Sequence, residues 1–269
     1  MATVVERASK VSQPYGGYIP LKSFERVSIN DEFTLNVDEN VDGQLIGSAV
    51  EYLTRFLFMP QDNSPISNML KAFDVSLRGA AIAREFFGIS DAVDVYREIF
   101  ARMAQSDREG IITNACKLVT FDAWYRNPLQ AVPNAYKTVN PDKATIENIH
   151  IMLKRSVSFF RERGGIVQSG FDFAPYGYSS TVSNGDGDFL TADTLWDMKV
   201  YRASTKITKK QTLQVLMYWI MGQHSGQEVF KSITKIGLYN PRMNAAYILD
   251  VSKIPQDVIH EVEDKVICY

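Results

Sequence analysis

The chain has 269 residues, a length that fits one large domain or two small ones. Its composition, 45% hydrophobic and 22% charged, allows a sizeable core and excludes disorder over the bulk of the chain. A net charge of −2 excludes a globally basic coat for nucleic acid, although a local basic patch is compatible with it. Two cysteines, Cys116 and Cys268, cannot build a disulfide framework or a zinc cage and indicate a reducing compartment. Because no apolar run is long enough for a membrane span or a signal peptide, we expect a soluble, cytoplasmic protein without membrane partners.

The first 42 residues predict little regular structure. Residues 1–25 contain Pro14, Pro20 and the pair Gly16-Gly17, which predicts a loosely held arm. The acidic stretch that follows, up to Asp42, predicts a solvated hairpin or loop.

The next 120 or so residues favour helices. From Gly43 to Phe58 apolar residues recur at spacings of three and four, and Pro60 ends this helix. The further predicted helices cover 66–87, 92–104, 111–125 and 142–163, and glycine or proline follows all of them except 92–104.

After Gly164-Gly165 the pattern changes to short alternating segments that are rich in β-branched and aromatic residues. The predicted strands are 166–174, 178–183, 185–190, 195–201, 233–239 and 245–251. A helix at 208–221 interrupts them, and a short acidic helix closes the chain. The sequence therefore predicts an α+β fold in a single domain, 1–269, with its helices gathered before a small sheet.

Turn-forming residues at 191–194 predict an antiparallel hairpin between two of these strands. In that register Leu190 faces Leu195 and Phe189 faces Trp196. Because side chains alternate along a strand, Trp196 is expected to point into the core.

The same register places acidic residues on the opposite face of the hairpin. Asp188 lies directly across from Asp197, and Asp186 and Lys199 project from the same face. Two facing carboxylates repel each other, and a divalent cation would offset this cost, since Mg²⁺ is held by one or two carboxylates together with water and phosphate oxygens. The alternative is an exposed hairpin with an ordinary Asp–Lys surface pair.

The following helix carries a second polar pair. Gln214 and Tyr218 are four residues apart and therefore share one helix face, whereas Leu213, Leu216 and Ile220 form an apolar stripe on the other side. This arrangement is typical of a helix that backs a polar site. A satisfied amide beside a core tyrosine is the alternative.

Together these segments resemble the PD-(D/E)xK nuclease superfamily, and within it the RecB-like branch. That branch has an acidic residue on a helix, Gly-x-x-Asp on one strand, Asp-x-Lys on the next, and Gln-x-x-x-Tyr on the following helix. The segments 185–188, 197–199 and 214–218 match the last three elements in order and spacing. The histidine that many RecB-like nucleases carry near the helix acid has no counterpart here.

The resemblance implies a restriction-endonuclease-like core, a small mixed sheet flanked by helices, formed by 43–58 and 164–250 with a helical insertion at 60–163. It also implies a nuclease that hydrolyses phosphodiester bonds in DNA by attack of a water activated by Mg²⁺ or Mn²⁺. The metal ligands that it implies are Asp188, Asp197 and, on the first helix, Glu51, and Asp186 could replace Asp188 if the hairpin register slips. The catalytic residues that it implies are Lys199, Gln214, Tyr218 and Glu51.

Positive charge follows the Asp-x-Lys segment, with no acidic residue between Met198 and Gln211. The candidates for contact with DNA phosphates are Arg202, Lys206, Lys209 and Lys210. A solvated basic face explains the same residues. Two other functions fit the site chemistry: a catalytically silent nuclease-like fold that binds nucleic acid or a protein, and an RNase or toxin.

Overall fold

The computed structural model describes residues 2–60, 64–200 and 207–269. The chain divides into two compact units, unit 1 formed by Met1–Asn30 with Phe159–Tyr269, and unit 2 formed by Asp31–Ser158. The predicted division into a core at 43–58 and 164–250 and an insertion at 60–163 stays a prediction.

Helices dominate unit 2, and strands are confined to unit 1 among the described residues. The helices are α1 (Val4–Lys10), α2 (Gly43–Phe58), α3 (Pro65–Ala72), α4 (Asp74–Phe87), α5 (Ala92–Gln105), α6 (Arg108–Leu118), α7 (Asp122–Arg126), α8 (Ala135–Thr138), α9 (Lys143–Arg161), α10 (Lys209–His224) and α11 (Gln256–Glu261). The strands are β1 (Ala2–Thr3), β2 (Glu25–Ser28), β3 (Gln168–Phe171), β4 (Val182–Asn184), β5 (Gly187–Leu190), β6 (Thr194–Met198), β7 (Lys235–Asn240) and β8 (Ala245–Asp250).

A mixed sheet of six described strands organises unit 1, in the order β2-β8-β7-β6-β5-β3. The central strands β6 and β7 are parallel, and every other neighbouring pair in this sheet is antiparallel. The fold is therefore α+β, a mixed sheet flanked by helices, as the sequence predicts at this level.

The two faces of the sheet have different cores. On one face Leu195 and Ile236 are fully buried in an apolar cluster that includes Leu216 of α10. On the other face the ring of Phe159 stacks on Tyr239 at a centroid distance of 3.7 Å and meets Trp196 edge-on at 4.9 Å. The predicted inward position of Trp196 is confirmed, since its side chain is 1% exposed.

The amino-terminal segment is part of the core of unit 1. Thr3 caps α1 through a hydrogen bond from the main-chain N–H of Glu6, whose side chain accepts from the N–H of Thr3 in return. Val4 and Ala8 of this short helix are buried in the same cluster as α10. The predicted loose arm at 1–25 is therefore wrong, because its few apolar residues find a partner surface that local periodicity does not show.

Several predicted elements are shorter or divided. The helix at 43–58 is confirmed, but the predicted helix 66–87 breaks into α3 and α4 at Phe73, which is fully buried and meets the ring of Tyr52 edge-on. The predicted helix 111–125 is likewise interrupted by a 3₁₀ turn at Val119–Phe121. Strand β4 does not join the larger sheet and instead pairs in parallel with β1.

Within the described part of the chain, none of the helices combines the length and apolar character that crossing a bilayer requires.

Candidate active site

The hairpin formed by β5 and β6 carries the candidate site. Its register pairs Phe189 with Trp196 and Leu190 with Leu195, as predicted, although three residues rather than four separate the two strands. Continued by one residue, this register sets Asp188 opposite Asp197. The Oδ2 atom of Asp188 accepts a hydrogen bond at 2.7 Å from the main-chain N–H of Met198, so its carboxylate reaches across to β6 beside Asp197.

Asp197 is the most deeply buried acid of the site, with 1% of its surface exposed. The Nζ atom of Lys199 lies 2.8 Å from its Oδ1 and 2.7 Å from its Oδ2. Among the described residues, Oδ2 of Asp197 accepts no hydrogen bond of regular geometry. Its contact with Lys199 is therefore an ion pair without a hydrogen bond. The pKa of Asp197 is raised to about 7, chiefly by burial. Lys199 acts to lower this pKa, and the charges of Asp188 and Asp186 act with burial to raise it.

Helix α10 closes the site from one side of the sheet. The Nε2 group of Gln214 donates to Oδ1 of Asp197 at 3.3 Å and to the hydroxyl of Tyr218 at 2.9 Å. Gln214 and Tyr218 are both buried, at 7% and 4% exposure. Burial, followed by the charge of Asp197, raises the pKa of Tyr218 well above its ordinary value, so this hydroxyl stays protonated.

The predicted one-sided apolar stripe on α10 is not what the structure shows. Val215 and Met217, which lie between Gln214 and Tyr218 in the sequence, are fully buried as well. This part of α10 is therefore buried on nearly all sides. Gln214 and Tyr218 therefore lie inside the core, and their hydrogen bonds to each other and to Asp197 satisfy them there.

Gly185, the first residue of the Gly-x-x-Asp segment, lies where two elements approach the hairpin closely. A Cβ atom at this position would lie 2.6 Å from a methyl carbon of Val4 in α1 and 3.6 Å from the ring of Tyr218. The hydroxyl of Tyr178 also donates to the carbonyl of Gly185 at 2.7 Å. Sequence reasoning missed Val4 and Tyr178 at this site, and the capping signal of Thr3 was the feature that could have revealed α1.

Lys199 connects the buried acids to the surface. Its side chain is 19% exposed, whereas that of Asp197 is 1% exposed. Its main-chain N–H donates to the carbonyl of Tyr239 on the parallel neighbour β7, which fixes the end of β6. The lysine also lines a small pocket between the ends of β6, β7 and β8.

The remaining predicted site residues fall into three groups. Lys209 and Lys210 are exposed in the first turn of α10, and Arg202 and Lys206 lie outside the described residues. Glu51 lies on α2 in unit 2, where its carboxylate pairs with Arg55 one turn later, and its role at the site stays a prediction.

The donor set suits a hard divalent cation. Asp188 and Asp197 offer carboxylate oxygens at adjacent positions on two strands, and one of those oxygens, Oδ2 of Asp197, is buried without a regular hydrogen bond. Mg²⁺ is commonly bound through one or two carboxylates, with water and substrate oxygens completing its shell. No group of three or more His, Cys, Asp or Glu side chains placed to hold a metal occurs among the described residues.

In comparisons with known proteins, the chain matches no family model, no curated protein and no solved structure.

Proposed function

We propose that the protein is a divalent-metal-dependent nuclease that hydrolyses phosphodiester bonds in DNA. The observation that carries this proposal is the contact of Lys199 with both oxygens of the buried Asp197, which lies opposite Asp188 on the neighbouring strand. The resemblance to the RecB-like branch of the PD-(D/E)xK superfamily supports it, since β5, β6 and α10 bring three separate motif segments into one hydrogen-bonded cluster. We assign the sheet of unit 1 to a restriction-endonuclease-like core on the same grounds.

In this proposal Asp188 and Asp197 would hold Mg²⁺ or Mn²⁺. Bound there, such a cation would act as a Lewis acid on the scissile phosphate and would lower the pKa of the attacking water. Lys199 stabilises the negative charge that develops on the phosphate, because its ammonium is the partly exposed cation next to the buried acids. Gln214 keeps Asp197 in position through its hydrogen bond to Oδ1, and Tyr218 orients the amide of Gln214.

The test is cleavage of labelled single-stranded DNA, duplex DNA and RNA with Mg²⁺ or Mn²⁺. We expect Asp197→Ala and Lys199→Ala to lower the rate by about 100-fold or more, the usual effect of removing a group that stabilises transition-state charge. Lys231→Ala is the matched control, because Lys231 forms an exposed ion pair with Glu228 in the same unit. Equal rates in all four proteins would contradict the proposal, and cleavage of RNA alone would redirect it to an RNase.

A silent nuclease-like fold that only binds nucleic acid or a protein is the second candidate. The observation that favours it is the same ion pair, since Lys199 already compensates the charge of Asp197 within the protein. Titration calorimetry with Mn²⁺ separates the two candidates. Binding that disappears in Asp197→Ala supports the nuclease, whereas no heat of binding at millimolar metal supports the silent fold.

A further inference from the structure

A fully exposed tyrosine, Tyr15, precedes by two residues Gly17, which packs against the start of α10. The main-chain N–H of Gly17 donates to the carbonyl of Pro14 at 2.9 Å, which closes a four-residue turn with Tyr15 at its second position. Gly16, at the third position, has a φ of 86°, the left-handed backbone that this kind of turn requires. The aromatic ring is therefore presented to solvent from a closed turn.

Two contacts hold this turn against α10. Gly17 packs so closely that a Cβ atom there would lie 2.8 Å from the Cβ of Lys209. Two residues further on, the carbonyl of Ile19 accepts a hydrogen bond at 2.9 Å from the hydroxyl of Thr212. Tyr15 is thus fixed at the amino-terminal end of the helix that backs the candidate site.

Helix α10 connects this end to the buried acids. Lys210, Gln214 and Tyr218 recur every four residues and lie along one face, with a rise of about 6 Å per step. Gln214 contacts Asp197, whereas Lys209 and Lys210 are exposed. Lys210 therefore extends the row that contains Gln214, whereas Lys209, against which Gly17 packs, lies about 100° further around the helix.

This combination matches the chemistry of single-stranded nucleic acid. Lysines bind the phosphates without regard to sequence, and an exposed aromatic ring stacks on the face of an unpaired base. In a duplex the base faces are covered by their neighbours, so the ring gains nothing there. A tyrosine has few rotatable bonds, and ordering it on a fixed turn costs little entropy.

We propose that Tyr15, together with Lys209 and Lys210, forms a subsite for an unpaired nucleotide of a DNA strand on the surface at the amino-terminal end of α10. This inference rests on the proposed nuclease function and adds to it a preference for single-stranded DNA.

The test compares the binding of a short fluorescent oligothymidylate and a short fluorescent duplex by anisotropy, with EDTA present to prevent cleavage. We expect Tyr15→Ala to weaken binding of the single strand by about 5- to 150-fold, the range measured for loss of one base–aromatic stack. Tyr15→Phe retains the ring and should bind like the wild type, and duplex affinity should not change. Tyr176→Ala is the matched control, because Tyr176 is also exposed but lies against Gly226, beyond the carboxyl end of α10.

Photocrosslinking gives a second readout that does not depend on affinity. An oligonucleotide with 5-iodouracil should crosslink to Tyr15 of the wild type, with the modified peptide identified by mass spectrometry. Unchanged single-strand binding by Tyr15→Ala, or an equal loss on single strand and duplex, would overturn the subsite while DNA cleavage by the wild type still supported the nuclease. A wild type that neither binds nor cleaves DNA would overturn the proposed function itself.

Discussion

Removal of the ammonium group from the buried pair, in Lys199→Met, should make the stability of the protein fall as the pH rises above 7. In the wild type burial raises the pKa of Asp197 to about 7, so the folded and unfolded states both carry an ionised carboxylate at higher pH. Lys199 acts to lower this pKa, and its loss therefore raises the pKa further. Above pH 7 the folded variant then retains a proton that the unfolded chain has lost.

The size of the effect follows from proton linkage. One extra bound proton in the folded state costs about 1.4 kcal/mol of stability for each pH unit. Between about pH 7 and pH 9 the variant should therefore lose up to about 3 kcal/mol relative to the wild type. The full amount applies only if the pKa of Asp197 in the variant exceeds the upper end of this range.

Urea unfolding at several pH values, followed by tryptophan fluorescence in EDTA, measures the difference between variant and wild type. The double variant Asp197→Asn/Lys199→Met is the matched control, because it lacks the carboxylate of Asp197 and should not show this slope. Parallel pH profiles for wild type and Lys199→Met would refute the reasoning, and so would a slope that persisted in the double variant.

Three further predictions test other parts of the structure. Gly185→Ala should lower the free energy of unfolding by about 1–3 kcal/mol, because its methyl group would lie 2.6 Å from a valine methyl of α1. Gly43→Ala is the control in the same denaturant titration: no other part of the fold lies within 4 Å of its methyl group, so it should not destabilise the protein. The pKa of Asp197 is raised to about 7, and a metal binds the ionised carboxylate, so affinity for Mn²⁺ should fall about tenfold for each pH unit below about 7. An affinity that calorimetry finds independent of pH would contradict this. Burial raises the pKa of Cys116 to about 12, so iodoacetamide should alkylate this thiol only when the protein is unfolded. The half-buried Cys268 should react in the native state, and peptide mapping distinguishes the two cysteines.

The hairpin could be predicted from the sequence because its register depends on local features. Turn residues at 191–194 and the alternation on either side fix which residues face each other, and the observed pairing of Phe189 with Trp196 follows from them. The four-residue spacing of Gln214 and Tyr218 predicts that they share one helix face, but it does not predict the hydrogen bond from Gln214 to Asp197. The strong apolar period of α2 and the proline that follows it predict the observed bounds, Gly43–Phe58.

The errors arose where tertiary contacts decide the outcome. Val4 and Ala8 are too few to give a helical period, yet both are buried once α10 lies beside them. Phe73 has no feature of a helix breaker, and its burial against Tyr52 ends α3 in place of a glycine or proline. Such residues are specified by surfaces remote in sequence, which periodicity within a window does not detect.

Stability alone does not account for the charged pair at the end of β6. Replacing a buried ion pair with apolar side chains of similar size is often neutral or stabilising by about 1–4 kcal/mol. Asp197 is 1% exposed, and Leu195, two residues earlier on the same face of β6, is fully buried, so an apolar side chain would suit this position. A second carboxylate, that of Asp188, faces it and raises the electrostatic cost further. A cluster that costs folding energy, is held by a hydrogen bond from α10 and reaches the surface through Lys199 fits the proposed chemistry on a phosphate better than it fits a role in the core.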